Sequence, residues 1–195
     1  MDLTNLKEEL SLIKDDIFFD PSQYLREKTS NPSKIKQVII KAEKLLELIN
    51  EDKLNRKEEK YFLYGTLGNL YRIYDKPKIA IRYLELSLRY SIDEKNCNRE
   101  IISLIRLGEA LKYDNKLDKS LEIFDEALIK STISASNSYK DFALQHKGKC
   151  LLELKRVEEA IKCFQEAVML RIEKNNQSLI VSTLHALDFA RTIKH

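Results

Sequence analysis

A chain of 195 residues that is 43% hydrophobic can bury one substantial core, so nothing in its size demands disulfides or a partner to fold. Four Gly and three Pro among many Leu, Ile, Lys and Glu residues leave few chain breakers, which points to an all-α fold. The net charge of +3 is what remains of 34 basic and 31 acidic side chains, and their interspersion argues against the concentrated basic face that a nucleic-acid partner would need.

The N-terminal stretch MDLTNLKEELSLIK has no basic start and no apolar core, so it does not read as a secretory signal. The chain contains no run of about 18 apolar residues, so no membrane span or membrane partner is expected. Leu3, Leu6, Leu10, Ile13 and Ile17 alternate at spacings of three and four, which predicts an amphipathic helix over residues 3–18. Asp20-Pro21 ends it, because the residue before a proline is pushed out of the helical region. Residues 19–32 then read as a long connection with a helical turn near Tyr24. Asn31-Pro32 opens a second helix, whose apolar face runs from Ile35 to Ile49 and whose end lies near Asn50, with EDKLNR as the next turn. Residues 1–56 are therefore expected to form an N-terminal helical cap, a degenerate copy of the helical units that begin at Lys57.

From Lys57 the chain repeats. Gly68, Gly108 and Gly148 stand 40 residues apart, and the same shift aligns Ala80 with Ser120 and Ala160, Leu84 with Phe124 and Phe164, and Ser87 with Ala127 and Ala167. Asp75-Lys76, Asn115-Lys116 and Lys155-Arg156 align as turns, and Asn96, Ser136 and Asn176 as helix N-caps. Helices are predicted over 57–74, 77–92, 97–114, 117–132, 138–154, 157–173 and 177–193. A glycine inside a helix costs about 1 kcal/mol relative to alanine, so three at one phase imply close helix crossings.

Tyr64, Leu67, Gly68, Tyr71, Ala80 and Leu84, with Leu104, Leu107, Gly108, Leu111, Ser120, Phe124 and Ala127 and with Leu144, Gly148, Leu151, Ala160, Phe164 and Ala167, resemble the signature of the tetratricopeptide repeat. The likeness covers residues 57–173, with a period of 40 instead of the usual 34, as in the extended repeats of kinesin light chains and bacterial peptide-pheromone receptors. It implies an α-α superhelix over residues 57–195: repeats at 57–96, 97–136 and 137–176, then a closing helix at 177–193, where Asp188 replaces the glycine.

By this resemblance the first helix of each pair lines a concave groove that holds a peptide or a helical segment of a partner protein. The candidate contacts are Asn69 and Arg72, then Arg106, Glu109 and Tyr113, then His146, Lys149 and Glu153. In relatives that clamp a chaperone carboxylate, Lys, Asn and Arg stand where this chain has Gly65, Asn69, Arg106, Phe142 and His146; Asn69 alone fits. Arg72, Arg106 and Lys149 could still attract an acidic peptide.

No His, Cys or carboxylate spacing forms a metal site, and no nucleophile elbow or phosphate loop occurs, so no catalysis, cofactor or metal is expected. Cys97, Cys150 and Cys163 form no C-x-x-C pair and are odd in number, as expected of a cytoplasmic chain. The expected function is that of a non-enzymatic interaction scaffold. The alternatives are a peptide-sensing regulator similar to the pheromone receptors and a secretion-type chaperone. The stripe of residues 3–18, if left uncovered, could pair two chains as a homodimer.

Overall fold

The structure is a computed structural model that describes residues 2–52, 56–133 and 139–193. Its elements are α1 (Leu3–Leu12), β1 (Ile17–Asp20), β2 (Arg26–Thr29), α2 (Pro32–Glu51), α3 (Lys57–Ile73), α4 (Pro77–Asp93), α5 (Cys97–Tyr113), α6 (Leu117–Ile133), α7 (Lys140–Glu153), α8 (Val157–Glu173) and α9 (Gln177–Thr192). Helices α3 to α8 form three stacked hairpins, α9 closes one end, and α1 with α2 caps the other. The helices α3, α5, α7 and α9 touch in series, which puts them on the inner side of the stack.

Each hairpin turns in the same way. After α3 the Lys76 N–H reaches the Tyr71 carbonyl at 2.8 Å and the Asp75 N–H reaches that of Arg72, with Asp75 left-handed at φ 60°. Asn115 and Lys155, 40 and 80 residues later, repeat that left-handed residue at φ 57° and 62°. This double bond closes the last open carbonyls of a helix and lets the chain reverse in few residues. Asn96 and Asn176 cap α5 and α9 by accepting from the N–H of Arg99 and of Leu179. Ser136, aligned with them, lies outside the described residues, as do residues 53–55 of the expected EDKLNR turn.

The glycines mark the crossings. A Cβ on Gly68 would sit 2.4 Å from Leu84 Cγ, and one on Gly108 or Gly148 would sit 2.6 or 2.5 Å from Cε1 of Phe124 or Phe164. The large residue of the second helix therefore fills the place that the glycine vacates. Ala80, Ser120, Ala160, Ser87, Ala127 and Ala167 are all fully buried beside these crossings, which gives the short interaxial distance that ridge-into-groove packing needs.

The N-terminal region departs from the helical expectation. The helix predicted over 3–18 ends at Leu12, and a 3-10 turn at Lys14–Asp16 comes next. Asp15 and Asp16 are unfavourable at the negative end of a helix dipole, and β-branched Ile17 with two Phe residues favours extended chain. The connection expected over 19–32 is instead an antiparallel β-hairpin, with Phe18 opposite Lys28 and Phe19 opposite Glu27. A 3-10 turn at Pro21–Gln23 lies within its loop, as the turn near Tyr24 anticipated, with Asp20 accepting from the Ser22 N–H. The stripe of α1 is covered: Leu6 and Ile13 are buried against Ile35, Val38 and Ile39 of α2.

Candidate functional site

The inner faces of α3, α5 and α7 carry side chains that a helix facing only core would not have. Asn69 and Arg72 stand on α3, Arg106, Glu109, Lys112 and Tyr113 on α5, and His146, Lys149 and Glu153 on α7. Because Asn69, Glu109 and Lys149 each come directly after a repeat glycine, the 40-residue period brings them to equivalent positions on neighbouring helices.

At the centre is a network of ions. Arg72, Glu109 and Lys149 are 5%, 4% and 4% exposed, and Lys112 is fully buried. Lys112 Nζ lies 2.9 Å from Glu109 Oε1, Arg72 Nη1 lies 3.6 Å from Oε2, and His146 Nδ1 approaches Oε1 at 3.1 Å. The Lys112 and His146 approaches do not have hydrogen-bond alignment, so Lys112 acts chiefly as a charge contact and His146 as a close polar neighbour of Glu109. Burial would raise the Glu109 carboxyl, but Lys112, His146 and Arg72 outweigh it and hold the group well below the usual range. Burial pushes the Lys149 ammonium down to about 8, against the pull of Glu109, and the same loss of water pushes the His146 imidazole below its ordinary value.

The β-hairpin lies in this groove. Arg26 donates from Nε to Glu153 at 2.9 Å, and from Nη2 to the Lys112 carbonyl at 2.9 Å and to Asn115 Oδ1 at 3.0 Å. It thereby places a cation at the C-terminal end of α5, where the helix dipole favours one. Glu27 pairs with Arg72, which overcomes the effect of burial and lowers the Glu27 pKa. The Tyr113 hydroxyl accepts from the Glu27 N–H and donates to the Glu27 carbonyl at 3.1 Å, so one phenol holds both backbone groups of an edge-strand residue. The guanidiniums of Arg26 and Arg72 stand 5.1 and 4.8 Å from the centroid of the Tyr113 ring, and Lys149 Nζ stands 3.9 Å from that of Phe19.

All eight sequence candidates lie along this face, in two different states. Arg72, Tyr113, Lys149 and Glu153 touch the hairpin directly. Asn69, Arg72, Arg106, Glu109 and His146 line a cavity of about 320 Å³ beside it, with Ile102, Tyr139 and Phe142 as apolar walls. Arg106 has an exposed side chain and, among the described residues, no carboxylate partner. The cavity walls take water from its guanidinium and lower its pKa, an effect that Tyr61 opposes and Arg72 reinforces.

Arg26, Glu27 and Phe19 were not legible as groove residues, because their placement depends on contacts up to 127 residues away. Lys112 was legible in principle, since it stands one period after Arg72. Among the described residues no group of His, Cys, Asp and Glu could hold a metal ion, and no helix is long and apolar enough to cross a membrane.

A family model for the tetratricopeptide repeat matches residues 143–171, the third hairpin with its Gly148 and Phe164. Those residues match one tetratricopeptide repeat, and the solved structures share the stacked-hairpin fold. Among solved structures, this repeat protein is similar to the apo form of RapI, with TM-score 0.69 and 17% identity over 83% of this chain and 58% of that one. It is also similar to a putative kinesin light chain of Podosopora anserina with nearly identical repeats, with TM-score 0.64 and 11% identity over 96% and 86% of the two chains. A third is the Rap conjugation gene regulator of plasmid pLS20 in complex with the Phr* peptide, with TM-score 0.63 and 14% identity over 82% of this chain and 48% of that one. The repeat protein thus spans about half the length of the two Rap structures. Among curated proteins, none matches the sequence.

Proposed function

We propose that the chain is a non-enzymatic peptide-binding module whose concave face takes a carboxylate-bearing peptide, and that it serves as a peptide-sensing regulator. The observation that carries this is the cavity beside the hairpin: an Arg106 guanidinium with no carboxylate partner among the described residues, amide and imidazole groups, and aromatic walls from Tyr139 and Phe142. A guanidinium at the cavity can take a bidentate carboxylate, and aromatic walls favour an apolar neighbour in the same peptide. The face has a surplus of positive charge. Arg26, Arg72, Lys112 and Lys149 face three carboxylates, Glu27, Glu109 and Glu153, and Arg106 adds one more cation.

The two Rap structures, one with a bound peptide, support the sensing reading over that of a general scaffold. Three free cysteines, with Cys97 exposed, support a cytoplasmic setting. The region 1–56 acts as the cap and residues 57–195 as the binding solenoid. With Leu6 and Ile13 covered, a monomer is expected, and a dimeric mass in light scattering would restore pairing through residues 3–18. The binding test is a screen of fluorescent heptapeptides with free C-termini against wild type and Arg106→Glu. Acidic peptides held by wild type should lose about tenfold or more in affinity with Arg106→Glu; equal affinities would refute the site.

A further inference from the structure

The hairpin covers the groove with little rooting in the core. No side chain between residues 14 and 34 is fully buried, and Phe18 and Phe19 are 49% and 44% exposed. Among the described residues its two strands pair only with each other, and an isolated two-stranded hairpin is marginal in water. Its hold comes chiefly from Arg26, Glu27 and the Tyr113 hydroxyl, with Lys149 against Phe19, Lys155 against Tyr24, and Tyr24 and Leu25 packed half-buried at one end.

What lies beneath is ionic. Lifting an ordinary core element exposes apolar surface, whereas lifting this one returns Arg72, Lys149 and Glu153 to water, which solvates charge favourably. Open space flanks the hairpin on both sides: the cavity beside Glu27, and one of about 490 Å³ toward α9 that Phe19, Pro21 and Leu25 line. Tyr24 and Leu25 are consecutive left-handed residues at φ 51° and 62°, a conformation that costs side-chain-bearing residues energy and that release would relieve.

We propose that residues 17–29 are an internal ligand of the concave face, and that the partner displacing them is an extended peptide segment with a basic residue followed directly by an acidic one. The inference rests on the peptide-binding reading above and adds its regulation. The incoming carboxylate replaces Glu27 on Arg72, the incoming cation replaces Arg26 on Glu153, and the segment's backbone N–H and carbonyl take over both hydrogen bonds of Tyr113. The covalently attached hairpin competes at high effective concentration, so the face answers only to a segment that fits better or is abundant.

The test uses the full chain and a fluorescein-labelled synthetic peptide of residues 15–31. The peptide should bind Arg26→Ala/Glu27→Ala about tenfold or more tighter than wild type, and a peptide with alanine at both positions should lose that binding. Equal affinity for the two proteins, or none for either, would overturn the proposal. Should the double variant fail to fold, hydrogen exchange on wild type decides. Amides of residues 26–29 exchanging about a hundredfold faster than those of α5 indicate local opening, and equal rates make the hairpin a fixed part of the fold. The two readings fail separately. Hairpin-peptide binding without acidic-heptapeptide binding sinks the Arg106 site alone; the reverse sinks the internal ligand alone.

Discussion

Replacing Gly108 by alanine sets two effects of opposite sign against each other. Alanine in a helix interior is worth about 1 kcal/mol over glycine. The added Cβ, however, would stand 2.6 Å from Phe124 Cε1 and 2.9 Å from both Cδ1 and Cζ. To reach ordinary contact the ring must retreat by about 0.8 Å, and it is fully buried among Ile101, Leu104, Ala127 and their neighbours. A rigid ring in a dense core moves only with its surroundings, so overpacking should cost up to about 3 kcal/mol and leave a net loss near 2 kcal/mol. For a chain of this size that lowers Tm by about 4–8 °C. Melts followed by circular dichroism at 222 nm, in wild-type and Phe124→Ala backgrounds, measure the coupling. Without the ring, Gly108→Ala should stabilise by about 1 kcal/mol. A variant melting at or above wild type, or an equal loss in both backgrounds, would refute the close-approach account.

Gly65 makes the contrast, since its Cβ would crowd Arg106 Nη1, the far end of a flexible side chain, and meet Arg106 Cζ and Ser87 Oγ at ordinary contact distance; Gly65→Ala should raise stability by about 0.5–1 kcal/mol while weakening any acidic peptide held by Arg106. Asp141, fully buried, accepts from Arg171 Nε at 2.9 Å, and Arg171 also reaches the Leu179 carbonyl of α9. Asp141→Ala strands a buried cation and should cost about 3–5 kcal/mol in urea denaturation, with α9 amides the first to lose exchange protection. Lys149 titrates near 8 in the fold against 10.5 ordinarily. Between those values the unfolded chain binds more protons, so stability should rise with pH from about 8 upward. Lys149→Met should remove that rise, and parallel pH profiles of urea midpoints for the two proteins would contradict it.

Much of the fold follows from short-range pattern. The glycine period, the left-handed turn residues and the Asn caps act within one hairpin, so residues 57–193 could be read without tertiary information. The phase of each glycine also orients its helix, which is why Asn69, Glu109 and Lys149 could be assigned to one face. The state of that face was not legible. Arg26-Glu27-Lys28-Thr29 lacks the apolar alternation of a strand and has Thr29 as its one β-branched residue. It is extended because Glu153, Arg72 and Tyr113 hold it so from three different helices. The sequence by itself determined the repeat, its period and the polar character of its inner helices, since these depend on neighbours one helix turn or one hairpin away. Only the tertiary structure decided that the groove already holds a segment of its own chain and that Arg106 lines the cavity beside it, because an ion pair across 127 residues leaves no periodic trace in either partner.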